Sequence, residues 1–152
     1  MKHFTKVIAL FLIISSCSTD NGGIKDYREE NDQEIQDYIT ANNLNALSSN
    51  TGLYYVIDEP GTGAQPTTTS DVTVAYKGYF TNGQVFDESD DLGISFNLQQ
   101  VITGWTEGIT YFKEGGSGML LIPSHLAYGN LGRGNIPGGA VLIFDINLIT
   151  VN

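Results

Sequence analysis

The chain has 152 residues, with 7 Lys+Arg against 17 Asp+Glu, 18 Gly, two His and one Cys. That length suits one domain, or a compact domain with an appendage, and 41% hydrophobic with 16% charged residues argue for a folded core over a disordered tail. A net charge of -10 argues against tracking of nucleic-acid phosphates, a single Cys forbids an intrachain disulfide, and one Cys with two His cannot build the usual four-ligand zinc cage.

At the amino end, Lys2 and Lys6 precede an apolar run over 7–14, followed by Ser15, Ser16 and Cys17. Basic, apolar and small-residue regions in that order are those of a secretory signal. The eight apolar residues extend only about 12 Å as a helix, far short of the ~20 residues that cross a bilayer, so a permanent span is not expected. The tetrad Ile14-Ser15-Ser16-Cys17 resembles the bacterial lipoprotein box. That resemblance implies a signal peptide over 1–16, cleavage before Cys17, and acylation of that Cys. The protein is then expected in the cell envelope, periplasmic or outer-membrane associated, held to a membrane by its lipid anchor. An ordinary secreted protein with an incidental Cys is the alternative. Residues 18–31 are polar and are expected to form a tether. Asn31 followed by Glu34 fits an N-cap and its capping-box partner, and Ile35, Tyr38 and Ile39 share a helical face, so a short helix is expected over 32–42. Such a stripe packs either on its own domain or on a second copy. The appendage is taken as 17–50 and the main domain as 51–152.

From Gly52 the texture changes, and all but two of the 18 Gly lie between there and Gly139. Leu53, Tyr55 and Ile57 alternate, as do Val72, Val74 and Tyr76, which is the period of half-buried strands. Asn82-Gly83 between Tyr79-Phe80 and Val85-Phe86 signals a hairpin. Phe96 and Leu98 suggest a short strand, and Val101, Trp105, Ile109 and Phe112 form one stripe of a helix over 101–112, stopped by Gly115-Gly116. A strand over 119–122 ends at Pro123; a single turn follows at 126–128, then a flexible-looking loop over 129–139 and a final strand over 140–149. Five or six strands with one central helix make an α+β domain, a twisted antiparallel sheet wrapped around that helix.

The chemical inventory is sparse. The run Gly129-Asn130-Leu131-Gly132-Arg133-Gly134 has the wrong order for a phosphate loop, and no Gly-Lys-Ser/Thr follows. Ser124 beside His125 makes no nucleophile–base pair by adjacency, and His125 is expected in a surface turn. The carboxylates Asp87, Glu88, Asp90 and Asp91 lack the ligand alternation of a calcium loop and are expected to be a solvated run. No metal ligand set is assigned. The excess lies in aromatics, among them Tyr76, Phe86, Phe96, Trp105, Tyr128 and Phe144, and many in such a set are simply core.

The order of those aromatics is more informative than their number. Val74-Ala75-Tyr76-Lys77-Gly78-Tyr79, Asn82-Gly83-Gln84-Val85-Phe86-Asp87 and the run Gln100 to Gly108 resemble the FKBP-type peptidyl-prolyl isomerases. So do Leu120 through Gly129 and Ile136 through Ile146. The blocks keep family order from about 52 to 150, roughly two thirds of the chain. The resemblance implies an FKBP-like fold and an apolar pocket of Tyr76, Phe86, Trp105, Tyr128 and Phe144, with Asp87 at its rim. Substrate would meet Val101, Ile102 and Ile136; Trp105 would form the floor, and the Ile102 amide and Tyr128 hydroxyl would meet ligand carbonyls. It also implies catalysis of X–Pro isomerisation without a cofactor, proline-containing polypeptides as partners, and macrocyclic inhibitors of the family as ligands.

Three departures from the family pattern bear on activity. The basic residue often found shortly after the Phe-Asp pair is absent, since Glu88, Ser89, Asp90, Asp91 and Leu92 follow Asp87. Ile94 stands where a further aromatic is usual, and Pro137-Gly138 replaces a Pro-Pro, so a looser flap is expected. Two functions compete: a peptidyl-prolyl isomerase assisting folding of exported proteins, or a non-catalytic binding or chaperone module for proline-containing segments.

Overall fold

The computed structural model describes residues 25–152. Residues 1–24, with the expected signal peptide, Cys17 and most of the tether, lie outside them. A helix α1 (Arg28–Ala41) precedes strands β1 (Leu47–Ser48), β2 (Tyr54–Glu59), β3 (Asp71–Tyr79), β4 (Val85–Glu88) and β5 (Ile94–Asn97). The short helix α2 (Thr103–Gly108) follows, then β6 (Ser117–Ile122) and β7 (Leu142–Val151). The strands form one antiparallel sheet in the order β1-β2-β6-β7-β3-β4, with β5 also paired to β3. The edge of β3 is thus divided: Asp71 to Val74 pair with β5, and Lys77 to Tyr79 pair with β4.

Alternation along the strands gives the sheet two apolar faces. Val72 and Val74, Leu120 and Ile122, and Leu142, Phe144, Ile146 and Leu148 point to the face covered by α2, where Trp105, Ile109 and Phe112 complete the main core. Leu121 and Val141 point the other way and meet Ile35, with Tyr38, Ile39 and Tyr54 around them. The sheet is therefore covered on both sides. The apolar stripe of α1 packs on its own domain.

Two expectations about the helices need correction. Asn31 is not an N-cap: α1 starts at Arg28, its N-cap position is Tyr27, and the Asn31 amide already donates to the Tyr27 carbonyl at 2.8 Å. The Asn31 side chain is engaged by the body of the domain instead, and Glu34 accepts from the Thr81 hydroxyl at 2.6 Å. Glu29 and Glu30 in the first turn favour the same start, since carboxylates suit the positive end of a helix. The helix expected over 101–112 is shorter, because Val101 and Ile102 are extended and the regular turns end at Gly108 before a 3₁₀ turn over Ile109–Tyr111. Its stripe still faces the core. The seventh strand, the two-residue β1, carries too little pattern to be read from sequence.

Two glycines explain how closely α2 approaches the sheet. A Cβ on Gly108 would lie 2.7 Å from Leu120 Cδ1, and one on Gly104 would strike the Ile122 side chain. The hairpin at Asn82-Gly83 forms as expected, with Gly83 at φ 85° and the Asn82 Oδ1 accepting from the Gln84 amide.

Candidate functional site

Between α2, the divided edge of β3 and the loop before β7 lies a cavity of about 690 Å3. This falls within the ~300–1,000 Å3 of small-ligand sites. Trp105 is only 5% exposed and sits at its floor, presented by α2 as that helix presses onto β6. Tyr76 meets the indole edge-on at 5.0 Å between ring centroids and 89°, and Phe144 does so at 5.1 Å and 83°. Phe86 then packs edge-on against Phe144 at 5.5 Å, and Phe96 lies 5.4 Å from Trp105 on the other flank. The three edge-on contacts set a positive ring edge against a negative face, an arrangement that fixes ring orientation as well as burying area.

Gly78 makes the Phe86–Phe144 contact possible. A Cβ there would stand 2.8 Å from atoms of both rings. The opposite rim is built from chain segments without regular structure. The extended backbone at Val101 and Ile102, just ahead of α2, turns both residues into the cavity, and Tyr128 and Ile136 reach it from the two ends of the loop before β7. That loop carries backbone contacts of its own. Arg133 and Ile136 exchange backbone hydrogen bonds of 2.9 Å each, the Gly139 amide donates to the Gly129 carbonyl at 2.9 Å, and a Cβ on Gly138 would strike the Asn130 carbonyl.

The polar groups are few. Asp87 makes no ion pair among the described residues; it accepts a 2.7 Å hydrogen bond from the Tyr76 hydroxyl. Burial pushes the Tyr76 phenol above its ordinary pKa, and the bond to Asp87 with that carboxylate's charge pushes it further. The hydroxyl therefore stays protonated and donating across the neutral range. Ser89 fills the gap between β4 and β5: its hydroxyl accepts from the Tyr76 amide at 3.0 Å, and its own amide donates to the Tyr76 carbonyl at 3.0 Å. The residue that follows the acidic pair thus holds the backbone of a wall residue. Arg133 lies over the Tyr128 ring at 5.9 Å and lines the mouth. The buried Trp105 Nε1 has no hydrogen-bond partner among the described residues.

All nine side chains named for the pocket from sequence, Tyr76, Phe86, Asp87, Val101, Ile102, Trp105, Tyr128, Ile136 and Phe144, line this one cavity. Ile94 and Phe96 join them, with Ile94 47% exposed where a larger ring would have closed the wall. Sequence reasoning gave no site role to Gln100 and Ala127, although both lie inside the family-like blocks, nor to Arg133, Gly134 and Asn135, which lie between two of those blocks. Cys17 lies outside the described residues. His125 is exposed in the turn after β6, and its Nε2 lies 2.8 Å from the Thr51 carbonyl. A larger hollow, about 1040 Å3, runs along the outer side of α1; its lining is dominated by carboxylates and amides, and it gathers none of the aromatic set.

Comparison with known proteins agrees with this geometry. The profile of a family described as FKBP-type peptidyl-prolyl cis-trans isomerase matches residues 63–149. The chain is 42% identical over 126 residues to the FKBP-type peptidyl-prolyl cis-trans isomerase FkpA of Aeromonas hydrophila, an alignment covering 80% of this chain and 47% of that protein. To FkpA of Escherichia coli K12 it is 40% identical over 129 residues, covering 84% of this chain and 44% of that one. The chain thus spans about half the length of these curated relatives. The crystal structure of Escherichia coli FkpA superposes with a TM-score of 0.74 at 36% identity, covering 82% of this chain and 61% of that one. A peptidyl-prolyl cis-trans isomerase from Pseudomonas syringae superposes with a TM-score of 0.71 at 30% identity, covering 86% of this chain and 99% of that one. With the profile running over most of the sheet and one relative spanned almost end to end, the chain belongs to the FKBP-type peptidyl-prolyl cis-trans isomerase family.

Proposed function

We propose that this protein catalyses cis/trans isomerisation of X–Pro bonds in polypeptides, with the cavity over Trp105 as its active site. The supporting observation is the convergence of an aromatic floor and walls with very few polar groups in one cavity of peptide-binding size. X–Pro is the one peptide bond with an appreciable cis population, and uncatalysed it exchanges over tens to hundreds of seconds. The barrier, about 18–20 kcal/mol for an amide, is the loss of C–N resonance on twisting. Resonance places negative charge on the carbonyl oxygen, and water stabilises that charge best in the planar form. A pocket that accepts the pyrrolidine ring over Trp105 removes this water from around the bond. The twisted form has less charge on its oxygen and loses less.

No covalent bond is made or broken, so the residues need only bind and orient. In this assignment Tyr76, Phe86, Trp105 and Phe144 enclose the proline ring, and Val101 and Ile136 hold the flanking chain. The Ile102 amide and the Tyr128 hydroxyl donate to substrate carbonyls. Asp87 keeps the Tyr76 ring in place through their hydrogen bond. Ligands are proline-containing segments and the macrocycles that occupy such pockets.

Residues 1–16 are read as a signal peptide and Cys17 as the acylated residue, which places the domain in the cell envelope among exported proteins. Metabolic labelling with a clickable fatty acid should mark the wild-type chain and leave Cys17→Ala unmarked. Equal labelling of both would remove the anchor from this account.

The central test is exchange of a short X–Pro peptide by purified residues 18–152 beside Phe86→Ala. Wild type should accelerate exchange, and the variant should lose about 10-fold to 100-fold of kcat/KM while still folding. The exposed Ile94, and an Asp87 without an ion pair among the described residues, favour a second function, capture of proline segments with little turnover. A folded but inert wild type that binds the peptide would establish that function instead.

A further inference from the structure

The pocket has a brace outside the stretch matched by the family profile. Asn31, in the first turn of α1, is 1% exposed, and it and Ser124 are the two buried polar residues among those described. Its Nδ2 donates to the Gly139 carbonyl at 2.9 Å, and its Oδ1 accepts from the Ser124 amide at 2.8 Å. Those two backbone groups bound the segment 124–139, and that segment carries Tyr128 and Ile136 into the cavity. A carboxamide is suited to the place because it offers a donor and an acceptor side by side without charge. A carboxylate would set a negative oxygen against the Gly139 carbonyl, and an alkyl group would leave two buried backbone groups unpaired.

Other contacts converge on the same neck. The Tyr27 ring lies where a Cβ on Gly139 would fall, and the Asn130 Nδ2 donates to the Lys25 carbonyl at 2.5 Å. Inside the segment, the Gly129 amide donates to the Ser124 carbonyl at 2.8 Å, and the Gly139 amide donates to the Gly129 carbonyl at 2.9 Å. Both partners of Asn31 therefore belong to one small hydrogen-bonded knot, from which the rest of the glycine-rich loop projects. Resting on the isomerase assignment, we infer that Asn31 is a positioning residue: it fixes the two ends of the 124–139 segment against each other and so sets where Tyr128 and Ile136 stand over Trp105.

A role confined to docking α1 would be shared by Ile35, which is fully buried on the same helix against Leu121 and Val141 and whose alkyl side chain offers the loop knot no hydrogen bond. Comparison of Asn31→Asp with Ile35→Ala in the chain from residue 18 onward therefore separates the two. Asn31→Asp retains the acceptor toward Ser124 and removes the donor toward Gly139. Its amides over 129–139 are expected to exchange with deuterium about tenfold faster than wild type, and kcat/KM for an X–Pro peptide to fall about tenfold. Ile35→Ala is expected to lower the melting temperature at least as far while leaving loop exchange and kcat/KM within about twofold of wild type. Unchanged loop exchange in Asn31→Asp overturns the inference, as does equal loosening of the loop by Ile35→Ala. If Asn31→Asp fails to fold, Asn31→Ala takes its place, removing both side-chain hydrogen bonds without adding charge. Loop exchange about tenfold faster than wild type is again expected, and unchanged exchange overturns the inference. A wild-type chain inert toward peptide would refute the isomerase assignment separately, because the exchange comparison needs no substrate.

Discussion

Replacing Tyr76 with Phe removes one hydroxyl and leaves the ring in its edge-on contact with Trp105. The lost hydrogen bond is partly exposed, so the expected cost is about 0.5–1.5 kcal/mol by urea unfolding, with kcat/KM lowered severalfold as the ring gains freedom. The same substitution has a signature in alkali. The Tyr76 phenol is held above the ordinary tyrosine value of 10.0 in the folded chain, mainly by burial, and Tyr79 is raised likewise by burial and its bond to Asp145. Above about pH 10 the unfolded chain therefore releases protons that the folded chain keeps. Stability contributed by these groups is complete below that pH and declines as pH rises toward their folded values. Urea midpoints between pH 9 and 11 should fall for wild type and fall less steeply for Tyr76→Phe; parallel slopes would contradict the assigned cause. Tyr128→Phe tests the other hydroxyl. Loss of the one neutral hydrogen bond to substrate proposed for it, about 0.5–1.5 kcal/mol, should lower kcat/KM roughly 2-fold to 10-fold with no change in stability.

The short helix α2 places the floor of the pocket, and its placement depends on what it lacks. Gly104 and Gly108 are poor helix formers, yet a methyl group at either would meet Ile122 or Leu120 of β6. Gly108→Ala is therefore expected to destabilise by about 1–3 kcal/mol, because overpacking against the sheet outweighs the gain in helix propensity. It should also shift Trp105 and lower kcat/KM, as followed by the single tryptophan's fluorescence together with peptide exchange. An increase in stability would show that α2 can yield without cost.

Strand alternation, the Asn82-Gly83 hairpin and the stripe from Trp105 to Phe112 were legible because each is a local pattern with a fixed period. The helix boundaries were less so, for reasons that are tertiary. Asn31 followed by Glu34 has the look of a capping box, but the Ser124 amide and Gly139 carbonyl engage the asparagine, and no local rule anticipates partners 93 and 108 residues away. The aromatic walls were legible through family resemblance. Arg133 and Asn135 were not, since loop geometry alone brings them to the mouth, and Gln100 lay inside a family-like run that carried no sign of its part in the pocket.

At the scale of the molecule, one sheet carries two apolar faces, the larger under α2 and the smaller under α1. Ile35→Ala empties the centre of the smaller one and should cost about 2–5 kcal/mol. Because Trp105 lies on the opposite face, its fluorescence and far-ultraviolet circular dichroism together report whether α1 unfolds with the rest. Coincident urea transitions are expected, and an early transition seen only by dichroism would make α1 a separate unit.

The order of the strands also bears on how the protein can be cut. A fragment trimmed to 63–149 would retain all nine proposed pocket residues while discarding β2, whose backbone pairs with β6 from Tyr54–Leu121 to Glu59–Ser117. The apolar run Met119 to Ile122 would then border solvent with open amides and carbonyls, a template for another copy to pair upon. Such a fragment should precipitate or form ladders of oligomers at concentrations where the longer chain stays monodisperse. For this fold, protection of an edge decides where a usable fragment begins, well before the first residue that lines the cavity.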